Sequence, residues 1–318
     1  MRASRPTLEA RARILRAVRA RFEAEHFVEV ETPARVRSPG QEVHLDAIPT
    51  GASHFLITSP EYHMKRLVAA GLPRIFQIGK CWRGGESGPH HLTEFTMAEW
   101  YRAGVPLETL AHDCEAMVRA AVTAAGRDPA ALGLDRPFRR TTVRELWALH
   151  VGRELAGDET ADELRTAALD AGIIVGSATA WDDVFYQAFL DRIEPRLADA
   201  GPTFVFDWPA PLGALARSKP GDGRLVERFE LYVDGLELAN AFGELTDPVE
   251  QRRRFQDETR IRAARGKQVY PIDEALLAAL AKMPPTAGIA LGFDRLVMLA
   301  LGAKDIRDVV AFDPDANS

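Results

Sequence analysis

The sequence predicts one mixed α+β domain over residues 1–318. Strand signals occur both before and after a long helical segment, and two pairs of these strands are joined as hairpins. No internal repeat or low-complexity linker separates the two groups of strands. A chain of this length forms one large domain or two ordinary ones, and the continuous pattern favours one.

The N-terminal part predicts short strands between two helices. Apolar residues at helical spacing predict an amphipathic helix over 8–25, and β-rich runs predict strands over 26–33 and 53–59. A second helix over 60–71 starts with a proline and stops at a glycine.

The middle of the chain predicts a long hairpin followed by an insertion. Two β-rich runs, 74–83 and 93–102, are joined by a glycine-rich loop. From about 106 to 197 the pattern becomes rich in Ala, Leu and charge, which predicts a helical insertion.

The C-terminal third predicts the remaining strands. They are TFVFDWP, ERFELYV and LELANAF, and the last two flank Asp234-Gly235, a strong hairpin turn signal. A charged helix over 248–265 follows, and its arginines either dock an acidic partner or form a solvated face. The chain ends with the strand GIALG and the helix FDRLVMLALG.

Composition excludes several classes of protein. The 40 Lys and Arg residues are outnumbered by 46 Asp and Glu residues, so the net charge of −6 does not favour non-specific nucleic-acid binding. No run approaches eighteen apolar residues, so no membrane span is expected. The charged N-terminus lacks the pattern of a secretion signal, and two cysteines are too few for a disulfide framework. We therefore expect a cytoplasmic protein.

Common nucleotide-binding and hydrolase motifs are absent from the sequence. It contains no GxxxxGK[ST], no GxGxxG after a strand, no HExxH and no GxSxG. Any nucleotide is therefore expected to bind to something other than a P-loop or a Rossmann fold.

The first of three candidate groups lies on the long hairpin. The two-residue period places Phe95, Met97, Glu99 and Tyr101 on one face of the second strand. Such a face can stack a ring and hold an ammonium group, unless it is simply the polar side of a half-buried sheet. Arg83 ends the facing strand, where a guanidinium can hold a phosphate or carboxylate.

The second group lies on the C-terminal hairpin. A two-residue turn sets Glu237 opposite Tyr232, with Glu230 as a diagonal neighbour on the same face. Two carboxylates at this separation suit Mg²⁺, although acidic hairpin residues are often only solvated. In a regular strand Asn240 and Glu244 fall on the opposite face. We therefore expect a bulge or bend between residues 238 and 243.

The third group is the junction between the last strand and the last helix. Gly292 permits close backbone approach, Asp294 can cap the helix, and Arg295 projects from the first turn, where helix amides also favour an anion. Taken alone, this is equally a strand-to-helix joint with a surface arginine.

Together and in this order, the three groups resemble motifs 2 and 3 of the class II aminoacyl-tRNA synthetases, and VETPA around Pro33 resembles motif 1. TSPEYHMKRL, EFTMAEWYR, ELAN, ELTD and GIALGFDRLVMLALG look most like the elongation factor P (R)-β-lysine ligase family, paralogues of lysyl-tRNA synthetase. The resemblance runs from about Leu8 to the C-terminus. It implies a class II aminoacyl-tRNA synthetase-like antiparallel sheet flanked by helices, with a helical insertion and no anticodon-binding OB domain.

The resemblance also implies a reaction. Relatives activate β-lysine with ATP and pass the acyl group to the ε-amine of a lysine on translation elongation factor P. It thus implies ATP and Mg²⁺ as cofactors, β-lysine or lysine as substrate, and elongation factor P as the protein partner. Motif 1 implies a homodimer, and no recognition of a tRNA anticodon or of a membrane is expected.

Roles for individual residues follow from the same resemblance. The catalytic residues are Arg83, between the substrate carboxylate and the α-phosphate, and Arg295 on the γ-phosphate. The substrate-binding residues are Ser59, Pro60, Glu61, Glu99, Tyr101, Glu237, Asn240, Glu244 and Ala290. The ATP-binding residues are Arg83, Gly84, Gly85, Glu86, His91, Leu92, Phe95, Glu230, Leu231, Gly292 and Arg295. The Mg²⁺ ligands are Glu230 and Glu237.

The sequence departs from the family pattern in motif 2. Residues 83–85 are Arg-Gly-Gly where Arg-Asn-Glu is usual, Glu86 comes one place late, and Leu92 replaces an asparagine that contacts ATP. These departures mean weaker ATP binding, compensation by Glu86 and His91, or a changed substrate. There are also two alternative functions. The chain is a non-catalytic paralogue with a binding or regulatory role, or an enzyme that activates an amino acid for another carrier.

Overall fold

The structure is a computed structural model that describes residues 2–176 and 180–316. Its helices, in chain order, are α1 (Arg5–Ala24), α2 (Glu61–Ala69), α3 (Glu108–Ala124), α4 (Val143–Val151), α5 (Ala161–Asp170), α6 (Trp181–Ala188), α7 (Glu194–Leu197), α8 (Pro248–Ala264), α9 (Glu274–Leu280) and α10 (Phe293–Leu301). Its strands are β1 (Val28–Glu29), β2 (Arg35–Val36), β3 (Phe55–Leu56), β4 (Arg74–Trp82), β5 (Glu94–Ala103), β6 (Arg139–Thr142), β7 (Thr203–Pro209), β8 (Ser218–Lys219), β9 (Asp222–Val233), β10 (Leu236–Gly243) and β11 (Thr286–Gly292).

One nine-stranded sheet organises the fold, in the order β1-β4-β5-β11-β10-β9-β7-β6, with β8 paired to β9. The pairings from β4 through to β7 are antiparallel, whereas the outermost pairs, β1 with β4 and β6 with β7, are parallel. Strands β2 and β3 form a separate ribbon. The predicted α+β class with a mainly antiparallel sheet is therefore confirmed.

The apolar face of the sheet is covered by α1, α3 and α10. Ile14, Val18 and Phe22 of α1 are buried against sheet residues such as Trp100 and Ile289 in one continuous core. These sheet residues alternate with polar ones along each strand, so the polar side chains project from the other face. The helices therefore leave that face free to form a site.

The described residues of the range 106–197, namely 106–176 and 180–197, are mainly helical, as expected of the insertion, but two features differ. Helix α3 packs against α1 and α10 and so belongs to the main core. Strand β6 extends the sheet beside β7. Its sequence, RRTT, has no apolar alternation, so the pattern gave no strand signal. Helices α4 to α6 form a second core around the stacked rings of Trp147 and Phe185.

The remaining elements agree with the prediction except at the short ones. The expected strands over 26–33 and 53–59 shrink to the two-residue strands β1 and β3, and α9, β2 and β8 were not predicted. The Asp234-Gly235 turn is present, with φ of 52° and 77°, as a type I′ turn requires. Across the described ranges, no helix is both long and apolar enough to cross a membrane.

Candidate functional site

The polar face of the sheet brings the three predicted groups together. The strand registers align one residue from each of five neighbouring strands in a single row: Gln77, Glu99, Ala290, Asn240 and Glu230. Three segments that are far apart in sequence thus meet on one face. The pairing register of the five strands, rather than closeness in sequence, therefore brings these side chains together.

The expected irregularity in β10 is present. Glu237 pairs with Tyr232 and Asn240 pairs with Glu230, because the register shifts between Glu237 and Ala239. Leu238 is the extra residue of this β-bulge, at one end of the predicted range. Without it, Glu237 and Asn240 would project from opposite faces.

A cavity of about 660 Å³ opens on this face, a size typical of small-ligand sites. The predicted residues that line it are Ser59, Glu61, Arg83, Glu86, His91, Leu92, Phe95, Glu237, Asn240, Ala290, Gly292 and Arg295. Those that do not line it are Pro60, Gly84, Gly85, Glu99, Tyr101, Glu230, Leu231 and Glu244. Leu231 lies in the apolar core instead, and Glu99, Tyr101, Glu230 and Glu244 are buried.

Two arginines lie at the motif 2 and motif 3 end of the cavity. The Arg83 guanidinium is 5.1 Å from the centre of the Phe95 ring and 3.8 Å from the Glu86 carboxylate. Arg295 donates to the Glu237 carbonyl at 2.7 Å and to His91 Nε2 at 2.6 Å. Burial and the adjacent Arg295 lower the pKa of His91, so its neutral ring can accept this bond.

The motif 2 departures have structural counterparts. Gly84 donates its amide to the Asp46 carbonyl at 2.6 Å, and a Cβ on Gly84 would lie only 3.2 Å from that oxygen. Leu92 is 2% exposed and packs into the main core while its edge meets the cavity. Gly85 has a φ of 78°, which glycine adopts readily. The loop thus packs tightly without the usual polar residues.

A buried acidic cluster lies near the cavity, at the Ser59 and Glu61 side. Glu99 accepts hydrogen bonds from Ser59 Oγ and Tyr101 Oη, each at 2.7 Å. Glu244 Oε2 lies 2.6 Å from the Nζ atom of Lys65. Burial, reinforced by the neighbouring Glu61 carboxylate, raises the pKa values of Glu99 and Glu244. The cluster is therefore short of positive charge.

Lys65 is a residue of this site that the sequence analysis missed. Its side chain is 1% exposed, and its ammonium also lies 2.5 Å from Glu61 Oε1. The one signal in the sequence is the four-residue spacing from Glu61 on α2, a common surface ion-pair pattern. That spacing cannot reveal the contact with Glu244, which comes from a distant part of the chain.

The two predicted metal ligands differ in their surroundings. Both oxygens of Glu230 accept hydrogen bonds, one from Arg228 and the other from Tyr232 at 2.6 Å. The Glu237 side chain is 41% exposed and 3.4 Å from Arg295. Burial raises the pKa of Glu230, and the Glu237 charge adds to that effect. Glu230 and Glu237 offer hard oxygen ligands whose like charges repel each other, so the donor set would fit Mg²⁺.

A second set of possible ligand atoms includes two residues of the cavity wall, His44 and Asp182. His44, Asp182 and Asp183 each offer one atom, all within 4.8 Å of one another. Arg265 already pairs with the two aspartates, at 3.3 and 3.1 Å. The Arg265 guanidinium therefore offsets part of the charge of the two aspartates.

Asp294 does not cap the last helix, contrary to the expectation. Gly292 is the N-cap residue, and no side chain bonds there. Asp294 is instead buried, where it accepts the Thr96 amide at 2.7 Å and pairs with Arg11 at 2.6 Å. It thereby fixes the start of α10, and Arg295 with it, against β5 and α1.

The arginines of α8, together with Arg265 directly after it, are engaged within the chain. Those at 252, 253, 254, 260, 262 and 265 each pair with a carboxylate. Arg262 is fully buried and donates to the carbonyls of Glu42 and Leu45, both at 2.8 Å. Arg262 therefore holds the loop that contains Glu42 and Leu45, and the ion pairs of the other arginines give no support to an acidic docking partner.

Comparison with known proteins agrees with this geometry. The family model described as "tRNA synthetases class II (D, K and N)" matches residues 2–316. Relatives from Salmonella dublin, Salmonella paratyphi B and Salmonella heidelberg, each named "Elongation factor P--(R)-beta-lysine ligase", are 38% identical over 324 residues. The alignment covers 98% of this chain and 96% of each relative. The chain therefore belongs to the class II tRNA synthetases (D, K and N), in the group of the elongation factor P (R)-β-lysine ligases, as its motifs predicted.

Proposed function

We propose that the chain activates (R)-β-lysine, or lysine, as an acyl-adenylate and transfers the acyl group to the ε-amine of a lysine on translation elongation factor P. Membership of the family makes the protein an ATP-dependent ligase. The amino-acid specificity and the acceptor are the proposed parts. The observation that supports them most is the buried cluster of Glu61, Glu99 and Glu244, which suits a substrate with ammonium groups.

The chemistry requires no side-chain nucleophile. The substrate carboxylate attacks the α-phosphate of ATP, the bond to the departing diphosphate breaks, and a mixed anhydride forms. The acceptor amine then attacks the acyl carbon, loses a proton and releases AMP. Arg83 and Arg295 lie where they can hold the carboxylate and the phosphates, so catalysis consists of positioning and charge neutralisation.

Mg²⁺ is proposed to bind Glu230 and Glu237. When bound, it supplies positive charge that offsets the phosphates of ATP. The carboxylates are held in place by Arg228 and Tyr232 on one side and Arg295 on the other. Phe95 is proposed to stack on the adenine ring. Glu86 and His91 are proposed to compensate for the missing motif 2 contacts, His91 by orienting Arg295.

The amino-acid end is proposed to use Glu99, Tyr101 and Glu244 for the distal ammonium. Ala290 lies between Glu99 and Asn240 in the row described above, so its methyl group narrows the cavity there. One methyl group in a tight pocket is worth about 1–3 kcal/mol of discrimination. This position therefore supports selection between isomers of lysine.

Three further proposals concern the whole protein. We infer that residues 1–318 act as one domain, since the central sheet takes strands from both sides of the insertion. We infer a homodimer through the motif 1 region, where β1 lies exposed at the sheet edge. Light scattering at micromolar concentration tests the homodimer, and a monomeric mass would contradict it. Two free, buried cysteines suit a cytoplasmic location.

The decisive experiment is the mass of elongation factor P co-expressed with and without this chain, with β-lysine or lysine supplied. We expect a mass increase of one acyl group that depends on the chain. An unmodified acceptor, together with no pyrophosphate exchange for either amino acid, would contradict the proposal.

The second candidate is a non-catalytic paralogue, favoured by Gly85 and the buried Leu92 in motif 2. Calorimetry of ATP binding in the presence of Mg²⁺ distinguishes this candidate from the ligase. Tight binding that is lost in Arg295→Ala counts against the non-catalytic paralogue.

A further inference from the structure

Glu42 is a cavity residue whose carboxylate has no part in the proposed reaction. It lies in the loop between β2 and β3 and lines the cavity together with Glu61 and Arg83. Its Oε2 atom is buried and has no hydrogen-bond partner in the described part of the chain. An unpaired buried carboxylate oxygen is costly, so a ligand is the natural source of its partner.

The loop that carries Glu42 is held firmly. The buried guanidinium of Arg262 donates to the carbonyls of Glu42 and Leu45, and Glu258 accepts the Val43 amide at 2.8 Å. Gln41 is also buried, and its amide donates to the Pro271 carbonyl at 3.1 Å. The backbone that carries Glu42 is thus held in place, which limits the positions that its carboxylate can reach.

The charges around Glu42 indicate what it binds. Burial raises its pKa to about 7, and the Glu61 carboxylate is the next largest cause, followed among charged groups by Glu258. Arg83 is the neighbouring cation that acts in the opposite direction, and it is proposed to hold the reacting carboxylate and the α-phosphate. Lys65 pairs with Glu61, not with Glu42. Two adjacent carboxylates therefore share too little positive charge from the chain.

We propose that Glu42, beside Glu61, binds the amino group nearest the reacting carboxyl group and so helps to determine which amino-acid isomer is activated. The inference rests on the proposed function. Arg83 lines the same cavity as Glu42 and is close enough to act on its charge, so the carboxylate and the nearby ammonium of one substrate can reach them together. The distal ammonium is left for the cluster of Glu99 and Glu244.

The test compares Glu42→Gln with the unmodified chain in pyrophosphate exchange. One substrate is the preferred lysine isomer, and the other is 6-aminohexanoate, which keeps the distal ammonium but lacks the amino group near the carboxyl. A hydrogen bond to a charged group corresponds to a loss of about 10- to 100-fold when it is removed. We expect a loss of that order in kcat/KM for the lysine isomer, and less than about 3-fold for 6-aminohexanoate. The KM for ATP is expected to stay unchanged.

Glu258→Gln is the matched control. It lies on the same cavity and keeps an oxygen that can accept the Val43 amide, so we expect equal effects on the two substrates. Equal losses for the two substrates in Glu42→Gln would overturn the role of Glu42 while leaving the proposed function intact. An unmodified chain that activates no lysine isomer would overturn both.

Discussion

Lys65 Nζ lies 2.6 Å from Glu244 Oε2 and 2.5 Å from Glu61 Oε1. This one buried ammonium therefore connects α2 with the residue that directly follows β10. Glu99 is the third carboxylate of this group, although its oxygens are bonded to Ser59 and Tyr101. One internal cation thus lies among three carboxyl groups, and burial raises the pKa values of Glu99 and Glu244. The cluster can therefore accept the distal ammonium group of the proposed substrate.

Lys65→Met is expected to destabilise the protein strongly. Removing one partner of a buried ion pair leaves the other charge unpaired and typically costs about 3–5 kcal/mol. Urea denaturation measures the change in the free energy of unfolding. Lys304→Met, at a position where the side chain is 85% exposed, is the matched control and is expected to change little. A loss below about 1 kcal/mol in Lys65→Met would contradict the ion-pair interpretation.

Gly288→Ala is expected to impair amino-acid activation more than ATP binding. A Cβ at this position would come closer than van der Waals contact to Glu244 Oε1 and to the Tyr101 ring. Both groups must then shift, so the KM for the amino acid rises while the KM for ATP changes little. Gly223→Ala, where an added Cβ meets no atom within 4 Å, is the control. Equal increases in the two KM values would argue for a general distortion instead.

Much of this site was predictable because the sequence shows the two-residue alternation of side chains along each strand. The shared face of Phe95, Glu99 and Tyr101 and the bulge near Leu238 both followed from the two-residue alternation of side chains. Long strands with clear alternation also placed the two hairpins correctly. These features depend on neighbours along the chain, which the sequence displays directly.

What was missed depends on contacts between distant segments. Lys65 pairs with Glu244, and Asp294 binds Arg11 and the Thr96 amide in place of the helix cap. Nothing near either residue in sequence distinguishes it from an ordinary surface ion-pair or capping residue. Strand β6 was missed for a related reason, since it is held by its pairing with β7 and not by its own apolar pattern.

The stability difference between Glu42→Gln and the unmodified chain is expected to depend on pH. The pKa of Glu42 is raised from the ordinary value to about 7, chiefly by burial. Its contribution to stability is therefore fully present below the ordinary pKa of a glutamate, about 4.3, and is lost as the pH rises through 7. Glutamine cannot ionise, so Glu42→Gln should become relatively more stable between pH 5 and pH 8. Urea denaturation at several pH values measures this, and a constant difference would show that Glu42 ionises normally.

His91→Ala and Arg295→Ala should weaken ATP binding through the same guanidinium. His91 Nε2 accepts a hydrogen bond from Arg295, whose other donors hold the Glu237 and His90 carbonyls. We expect Arg295→Ala to lower the rate of pyrophosphate exchange about 100- to 1000-fold, as loss of a preorganised charge donor does, and His91→Ala to have a smaller effect. The double variant should lose no more than Arg295→Ala alone, because the imidazole then has nothing left to orient. Additive losses would instead mean that His91 contacts ATP independently and replaces the missing asparagine at position 92 in its own right.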